Sequence, residues 1–203
     1  MLRLAPVALA LTVVALQPAA ASAQASTDPA KAPAGTYAVE SSHTRVLFAI
    51  NHMGFTTYYG DFTGVDGSLQ LDPAKPSASA VSVTIPAASV STTNAKLDGE
   101  LKSAQWLDAT AFPTITFKST KVTPTGPSTA DIEGDLTLHG VTKPVTLAAK
   151  FNAVGPNPMS KKVTVGFDAT AHIKRSDFGV SRYVPLIGDQ VDVIISAAFE
   201  KAN

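Results

Sequence analysis

The chain has 203 residues, 16 Lys and Arg against 16 Asp and Glu, and no cysteine. Zero formal net charge without a run of like charge gives no support for a nucleic-acid partner or for charge-driven attachment to an anionic membrane, so an apolar partner is favoured. The missing cysteines exclude a disulfide framework, a thiol nucleophile and lipid attachment to an N-terminal Cys.

The first element is an export signal. Met1 and Arg3 give a positive start, residues 4–16 are apolar, and Gln17 and Pro18 end the run. That run falls short of the roughly 20 residues a membrane span needs. Small residues at Ala21, Ala23 and Ala25 supply cleavage sites, so residues 1–23 read as a signal peptide cut after Ala23 or Ala25. Periplasmic localisation follows, without stable membrane insertion after cleavage. Residues 24–35 read as a flexible leader and residues 36–203 as one domain.

From there, apolar residues recur with period two, the spacing of a strand with one buried face. In chain order the runs are Val46-Phe48-Ile50-His52, the segment around Phe62, Leu69 and Leu71, Val81-Val83-Ile85, Ile115-Phe117, Leu136-Leu138, Val145-Leu147-Ala149-Phe151, Val163 through Ile173, and Val191 through Phe199. These make eight strands. Asp72-Pro73, Pro124-Thr125-Gly126-Pro127, His139-Gly140 and Gly155-Pro156-Asn157-Pro158 supply turn chemistry, and short links favour antiparallel neighbours. Gly64 and Gly67 mark a bulge or sharp bend. Between the third and fourth runs, residues 93–102 read as a short capped helix with Leu97 and Leu101 four apart, placed to close one end. Trp106, Leu107, Phe112 and Pro113 follow as a bulky connection across an opening. Eight such strands close into a barrel holding packed side chains or one small ligand; a two-sheet sandwich uses the same alternation.

No nucleophile elbow and no phosphate loop is present. His43, His52, His139 and His172 lie on separate elements, His43 and His52 on opposite strand faces by parity, which is not zinc-site spacing. Asp98 and Glu100 sit on the end helix. Arg175 and Asp177 read as an ion pair or cap that fixes a loop, with phosphate recognition as the other use of a guanidinium. His52 reads as a rim histidine or a polar contact to a head group. No catalytic residue, metal site or cofactor is assigned.

Longer stretches carry a resemblance: Tyr37 to Thr44, Val46-x-Phe48-x-x-x-His52-x-Gly54, Gly60-x-Phe62, Leu97 to Ser103, Trp106-Leu107-Asp108, Phe112-Pro113, Phe117-x-Ser119, Gly134 to Val145, and Arg175-Ser176-Asp177-Phe178-Gly179. The sequence resembles the YceI-like family of periplasmic polyisoprenoid-binding proteins, over residues 36–199. The resemblance implies an all-β, eight-stranded antiparallel lipocalin-like barrel with a short helix closing one end and an isoprenoid lipid, a polyprenyl phosphate or a quinone-type tail, inside. The expected contacts are Val46, Phe48, Ile50, His52, Phe62, Trp106, Phe117, Leu136, Leu138, Arg175 and Phe178. Glu40 stands where the family usually has Asp, and Leu97 and Glu100 where many members have Arg and His, so head-group contacts at the end helix are not carried over. A homodimer through an exposed strand face is an ordinary expectation for such a fold.

Burial supplies the affinity such a ligand needs. At roughly 0.8 kcal/mol per CH₂, about 20 buried carbons give gross burial near ~15 kcal/mol before ordering costs. Two other readings remain, a stress-related structural module whose barrel is filled by its own side chains and an enzyme acting on such a lipid. The second needs His52 or His139 beside Asp98 in one pocket.

Overall fold

Strands that alternate apolar and polar side chains bury their apolar faces together by curling around a common axis, and the computed structural model, which describes residues 25–202, is built this way. Its strands are β1 (Gly35–Val39), β2 (Arg45–His52), β3 (Thr56–Phe62), β4 (Asp66–Leu71), β5 (Ala80–Pro86), β6 (Thr114–Pro124), β7 (Thr129–Leu138), β8 (Val141–Pro156), β9 (Val163–Lys174) and β10 (Ile187–Lys201), with one α-helix, α1 (Ala95–Lys102).

These ten segments make eight staves. β1 and β2 both pair antiparallel with β10, Val39 opposite Phe199 and Arg45 opposite Ser196, so they are one stave interrupted by a short 3-10 turn at Ser41–His43. β3 pairs with β2 and β4 with β1, a second stave broken at residues 63–65. From β4 each strand pairs with the next through β10, and β10 returns to β1, closing an antiparallel eight-stranded barrel. The expected strand count therefore holds, but β1 was not among the expected strands.

The first kink is stitched by side chains. Glu40 accepts from the backbone N–H groups of Ser42 and His43, and its carboxyl also meets the His43 ring. Thr44 is buried, and its hydroxyl donates to the carbonyl of Glu40 and accepts from the N–H of Ala198. The Ser42 hydroxyl also donates to the Glu40 carboxyl, and this bond foremost, with those from His43 and the Ser42 N–H, holds that carboxyl below its ordinary pKa. His43 thus belongs to this turn, and the expectation that it shares a strand with His52 is corrected.

One end of the barrel is packed solid. Tyr37, Leu69, Phe151, Val154, Val165 and Phe199 form its buried cluster, with Phe167 edge-on to both Phe151 and Phe199. The segment expected to be a flexible leader is laid against this end. Ser26 exchanges two 2.8 Å backbone hydrogen bonds with Val154, Ala32 is buried in the cluster, and the Tyr37 hydroxyl donates to the Pro33 carbonyl at 2.6 Å. Residues 25–35 are held because the plug leaves an apolar step that Ala32 fills. The expected signal peptide, residues 1–23, lies outside the described residues.

At the other end, β3 has lost its neighbour, since β5 pairs with β4 and only the isolated bridge between Asp61 and Ser91 joins β3 to the connection that follows β5. Residues 87–113, which include α1, cover that end. Asn94 caps the helix by accepting from the N–H of Leu97, and Asp98 accepts from both the N–H and the hydroxyl of Thr92 at 2.6 and 2.7 Å. The short helix expected to close one end is present. Among the described residues no helix is long and apolar enough to cross a membrane.

Candidate functional site

Between the aromatic plug and α1 the inward side chains do not meet, leaving a cavity of about 480 Å³. The parity read from the sequence decides what faces it. Even-numbered residues of β2 (Val46, Phe48, Ile50, His52) and odd-numbered residues of β9 and β10 point inward, as do Leu136 and Leu138 of β7. Two rings are accommodated by glycines. Phe48 lies over Gly60, and Phe117 over Gly134, where an added methyl would come within 2.4 Å of the ring. In both places the missing side chain gives the ring its seat.

Ten of the eleven expected contacts line this one cavity: Val46, Phe48, Ile50, His52, Phe62, Trp106, Phe117, Leu136, Leu138 and Arg175. Phe178 does not. It is 2% exposed and packs in a core cluster with Val65, Ile85, Ala87, Ile115 and Leu138, because the turn Arg175–Phe178, ended by Gly179 in the left-handed conformation, sets it among them. The expected contacts did not include Leu97 and Leu101 of α1, or Tyr58 and Tyr183, all of which line the cavity. Parity with Phe62 would have found Tyr58, whereas no local pattern marks Tyr183.

Apart from Thr44, which lines the cavity near the plug, the polar side chains that turn inward gather at the α1 end. Arg175 is 4% exposed, yet among the described residues it has no ion pair, and it does not cap through Asp177 as expected. Its Nε donates to the Gly188 carbonyl at 2.8 Å, and its two terminal nitrogens donate to Val180 at 2.8 Å and Ile187 at 2.9 Å. The guanidinium is a clamp on three carbonyls, with its carbon 5.4 Å from the centre of the Trp106 ring. Burial lowers its pKa from the free-arginine value and nearby Asp189 opposes the shift, but the group stays protonated at neutral pH. Three of its five N–H groups are used in these bonds, and the side chain is part of the cavity wall. Trp106 in turn donates from Nε1 to Glu100 at 3.2 Å and packs edge-on to Tyr183, ring centres 6.1 Å apart.

The pairing that the enzyme reading required, His52 or His139 beside Asp98 in one pocket, is not assembled, although His52 itself lines the cavity. His139 sits at the β7–β8 hairpin, where it and Gly140 both have positive φ, as a two-residue turn requires. Its ring packs edge-on against Phe112, ring centres 4.7 Å apart, and its Nδ1 meets the Phe178 carbonyl. Asp98 is committed to Thr92, and neither His139 nor Asp98 lines the cavity. His172 lies on the outer wall beside Asp192, 2.7 Å away. Among the described residues no three His, Cys, Asp or Glu side chains form a metal-binding group.

The model of the YceI-like domain matches residues 37–199. A UPF0312 protein of Ectopseudomonas mendocina is 42% identical over 168 residues, covering 82% of this chain and 87% of the relative. Protein YceI of Shigella flexneri is 43% identical over 157 residues, 77% of this chain and 81% of the relative. Among solved structures, the Campylobacter jejuni YCEI protein is similar with a TM-score of 0.67 at 28% identity, covering 76% and 91% of the two chains. Burkholderia cenocepacia BcnA shares the fold with a TM-score of 0.72 at 24% identity, over 79% of this chain and 98% of that one. So does a domain from Saccharophagus degradans described as polyisoprenoid-binding and implicated in plant cell wall breakdown, with a TM-score of 0.63 at 14% identity, over 82% and 98%.

Proposed function

The chain belongs to the YceI-like family, and from that premise and the shape of its interior we propose that it is a periplasmic binding protein that sequesters or carries an isoprenoid lipid in the barrel. The observation that carries this reading is the cavity itself: about 480 Å³ walled mainly by aliphatic and aromatic side chains, with most of its polar groups at the α1 end. That volume lies within the roughly 300–1,000 Å³ of small-molecule sites. A barrel filled by its own side chains would have closed this space, so the cavity favours the binding reading over the structural module. An apolar tail gains from such walls without directional bonds, and the polar groups then fix which end of the ligand faces out. The Saccharophagus domain described as polyisoprenoid-binding supports the same ligand class. Periplasmic residence rests on the N-terminal pattern.

A polyprenyl phosphate or a quinone-type tail both fit this chemistry. The phosphate would use the unspent N–H groups of Arg175; the quinone would use His52 or the Tyr183 hydroxyl. Native mass spectrometry of the protein isolated from cells, followed by solvent extraction and lipid analysis, tests the reading. An added mass belonging to an isoprenoid lipid is expected. Protein that carries no added mass and takes up neither a polyprenyl phosphate nor a quinone supplied in detergent would reject it.

A further inference from the structure

Beside the α1 end of the cavity stands a group of apolar side chains left exposed among the described residues. Phe55, at the tip of the β2–β3 hairpin, is 85% exposed and Leu186 is 66% exposed, with Met53, Tyr183 and Val184 about half or more than a third exposed. They form one patch, because the Met53 N–H donates to the Leu186 carbonyl at 2.9 Å and Ile187 pairs with His52. The wall below differs. On β9 the outward residues are Thr164, Asp168, Thr170, His172 and Lys174, polar to the end of the strand. Water therefore suits this stave, and although Tyr59 on β3 and Ile194 on β10 are exposed singly on the outer wall, most of the exposed large apolar side chains are gathered at the rim.

Charge narrows the choice of medium. Residues 51–59 and 179–188 contain one permanently charged side chain, Arg182, and no carboxylate. The Arg182 guanidinium lies 4.5 Å from the centre of the exposed Tyr183 ring and donates to the Tyr183 hydroxyl at 2.7 Å, and it has no acidic partner among the described residues. Exposed Phe, Leu, Met and Tyr around a lone arginine match the boundary between acyl chains and phosphates, where aromatic rings sit at headgroup depth and a guanidinium pairs with phosphate oxygens. The neutrality of the whole chain hides this, because the rim is a small part of the surface. Tyr183 and Ile187 belong both to the rim and to the cavity wall, so the patch is continuous with the interior.

We propose that this rim docks on the surface of a phospholipid bilayer, preferring anionic headgroups, so that the cavity opens onto the membrane. The inference rests on the lipid-carrier reading for its purpose, since an isoprenoid cargo resides in membranes, but not for its test.

The test is sedimentation with vesicles of phosphatidylcholine alone or with added phosphatidylglycerol. It uses protein processed by the expressing cell, its N-terminus established by mass, so that all variants share the same terminus. Wild type is expected to sediment with the mixed vesicles. Phe55→Ser with Leu186→Ser should weaken this by about tenfold or more, while unfolding at the wild-type temperature, because both side chains are exposed. Arg182→Gln should remove the preference for phosphatidylglycerol, as should high salt. Undiminished sedimentation of the double variant would overturn the proposal. So would a wild type that ignores both vesicles, or one that forms a dimer which the double variant dissolves, since a second copy would then cover the rim. Native mass spectrometry of the same preparations separates the two readings: lipid carried without vesicle binding rejects docking alone, and vesicle binding by protein that never holds lipid rejects the carrier alone.

Discussion

Phe48 on β2 lies across Gly60, the residue directly opposite it on β3, so closely that a methyl group on Gly60 would stand 2.3 Å from the ring. The ring can yield into the cavity, and the other close neighbour of that methyl, the Ser91 backbone oxygen at 3.0 Å, need give by only a few tenths of an ångström. Gly60→Ala is therefore expected to cost only about 1–2 kcal/mol of stability, less than the same clash in a filled core, because the displaced ring enters open space. The volume it takes comes out of the binding site. Denaturant unfolding beside uptake of a fluorescent apolar probe reads both, and a variant that loses stability while binding the probe as wild type does would contradict this account.

Arg175 holds three carbonyls, that of Val180 in the loop before β10 and those of Ile187 and Gly188 at the start of β10. Replacing it by Ala leaves Gly188, Val180 and Ile187 without their partner, and buried carbonyls without partners cost on the order of 1 kcal/mol or more each. Arg175→Ala is expected to lose about 3 kcal/mol in denaturant unfolding. Arg175→Lys should recover less than half, since an ammonium cannot spread three bonds in the plane of a guanidinium fork. In folded Arg175→Ala the choice among lipids should shift more than total lipid retention falls. Complete loss of bound lipid from folded variant would show that the head group, not the tail, dominates binding.

The strands were legible because parity reports which face is buried, and β9 follows it from Val163 to Ile173 without a break. The two split staves were not legible in full, and parity is also the reason. Val39 and Val46 both face the cavity but are an odd number of residues apart, so the turn at Ser41–His43 flips the register and hides β1 from a period-two count. The same flip separates Phe62 from Leu69 across residues 63–65. The inward aliphatic residues could be named from sequence for this reason, whereas the bonding role of Arg175 and the position of Phe178 could not. Their surroundings are built by residues 180, 187 and 188 and by the core cluster, which come together only when the barrel closes.

Asp189 fixes the far side of the same loop by accepting from the Ser176 N–H at 3.0 Å and its hydroxyl at 2.8 Å. Those bonds, the backbone one foremost, hold its carboxyl below the ordinary aspartate pKa. A depressed folded-state pKa stabilises the protein fully above the unfolded value, near ~4, and this contribution disappears as pH falls through the lower folded value. Asp189→Asn should therefore lower stability at neutral pH and flatten the stability curve below about pH 4. Thermal unfolding across that range checks it; parallel curves for wild type and variant would remove Asp189 from the pH response.

Ala169 and Ala171 offer the sharpest separation of cavity from core, because both are buried, both line the cavity, and both are small. In a close-packed interior, exchanging such an alanine for Phe forces neighbours apart and costs about 1–3 kcal/mol. Here the new ring would project into the space between the plug and α1, meeting apolar walls without displacing them. Ala171→Phe is expected to leave the lipid-free protein as stable as wild type or slightly more so, since it buries added apolar area. The stabilisation that wild type gains from bound lipid should vanish at the same time, as ligand linkage disappears when the site is occupied by the protein's own side chain. Unfolding of both proteins before and after delipidation, with probe uptake alongside, reads the two effects. A lipid-free variant destabilised to the extent of an overpacked core would mean that the interior closes on itself in solution, and the filled barrel would then be the better description.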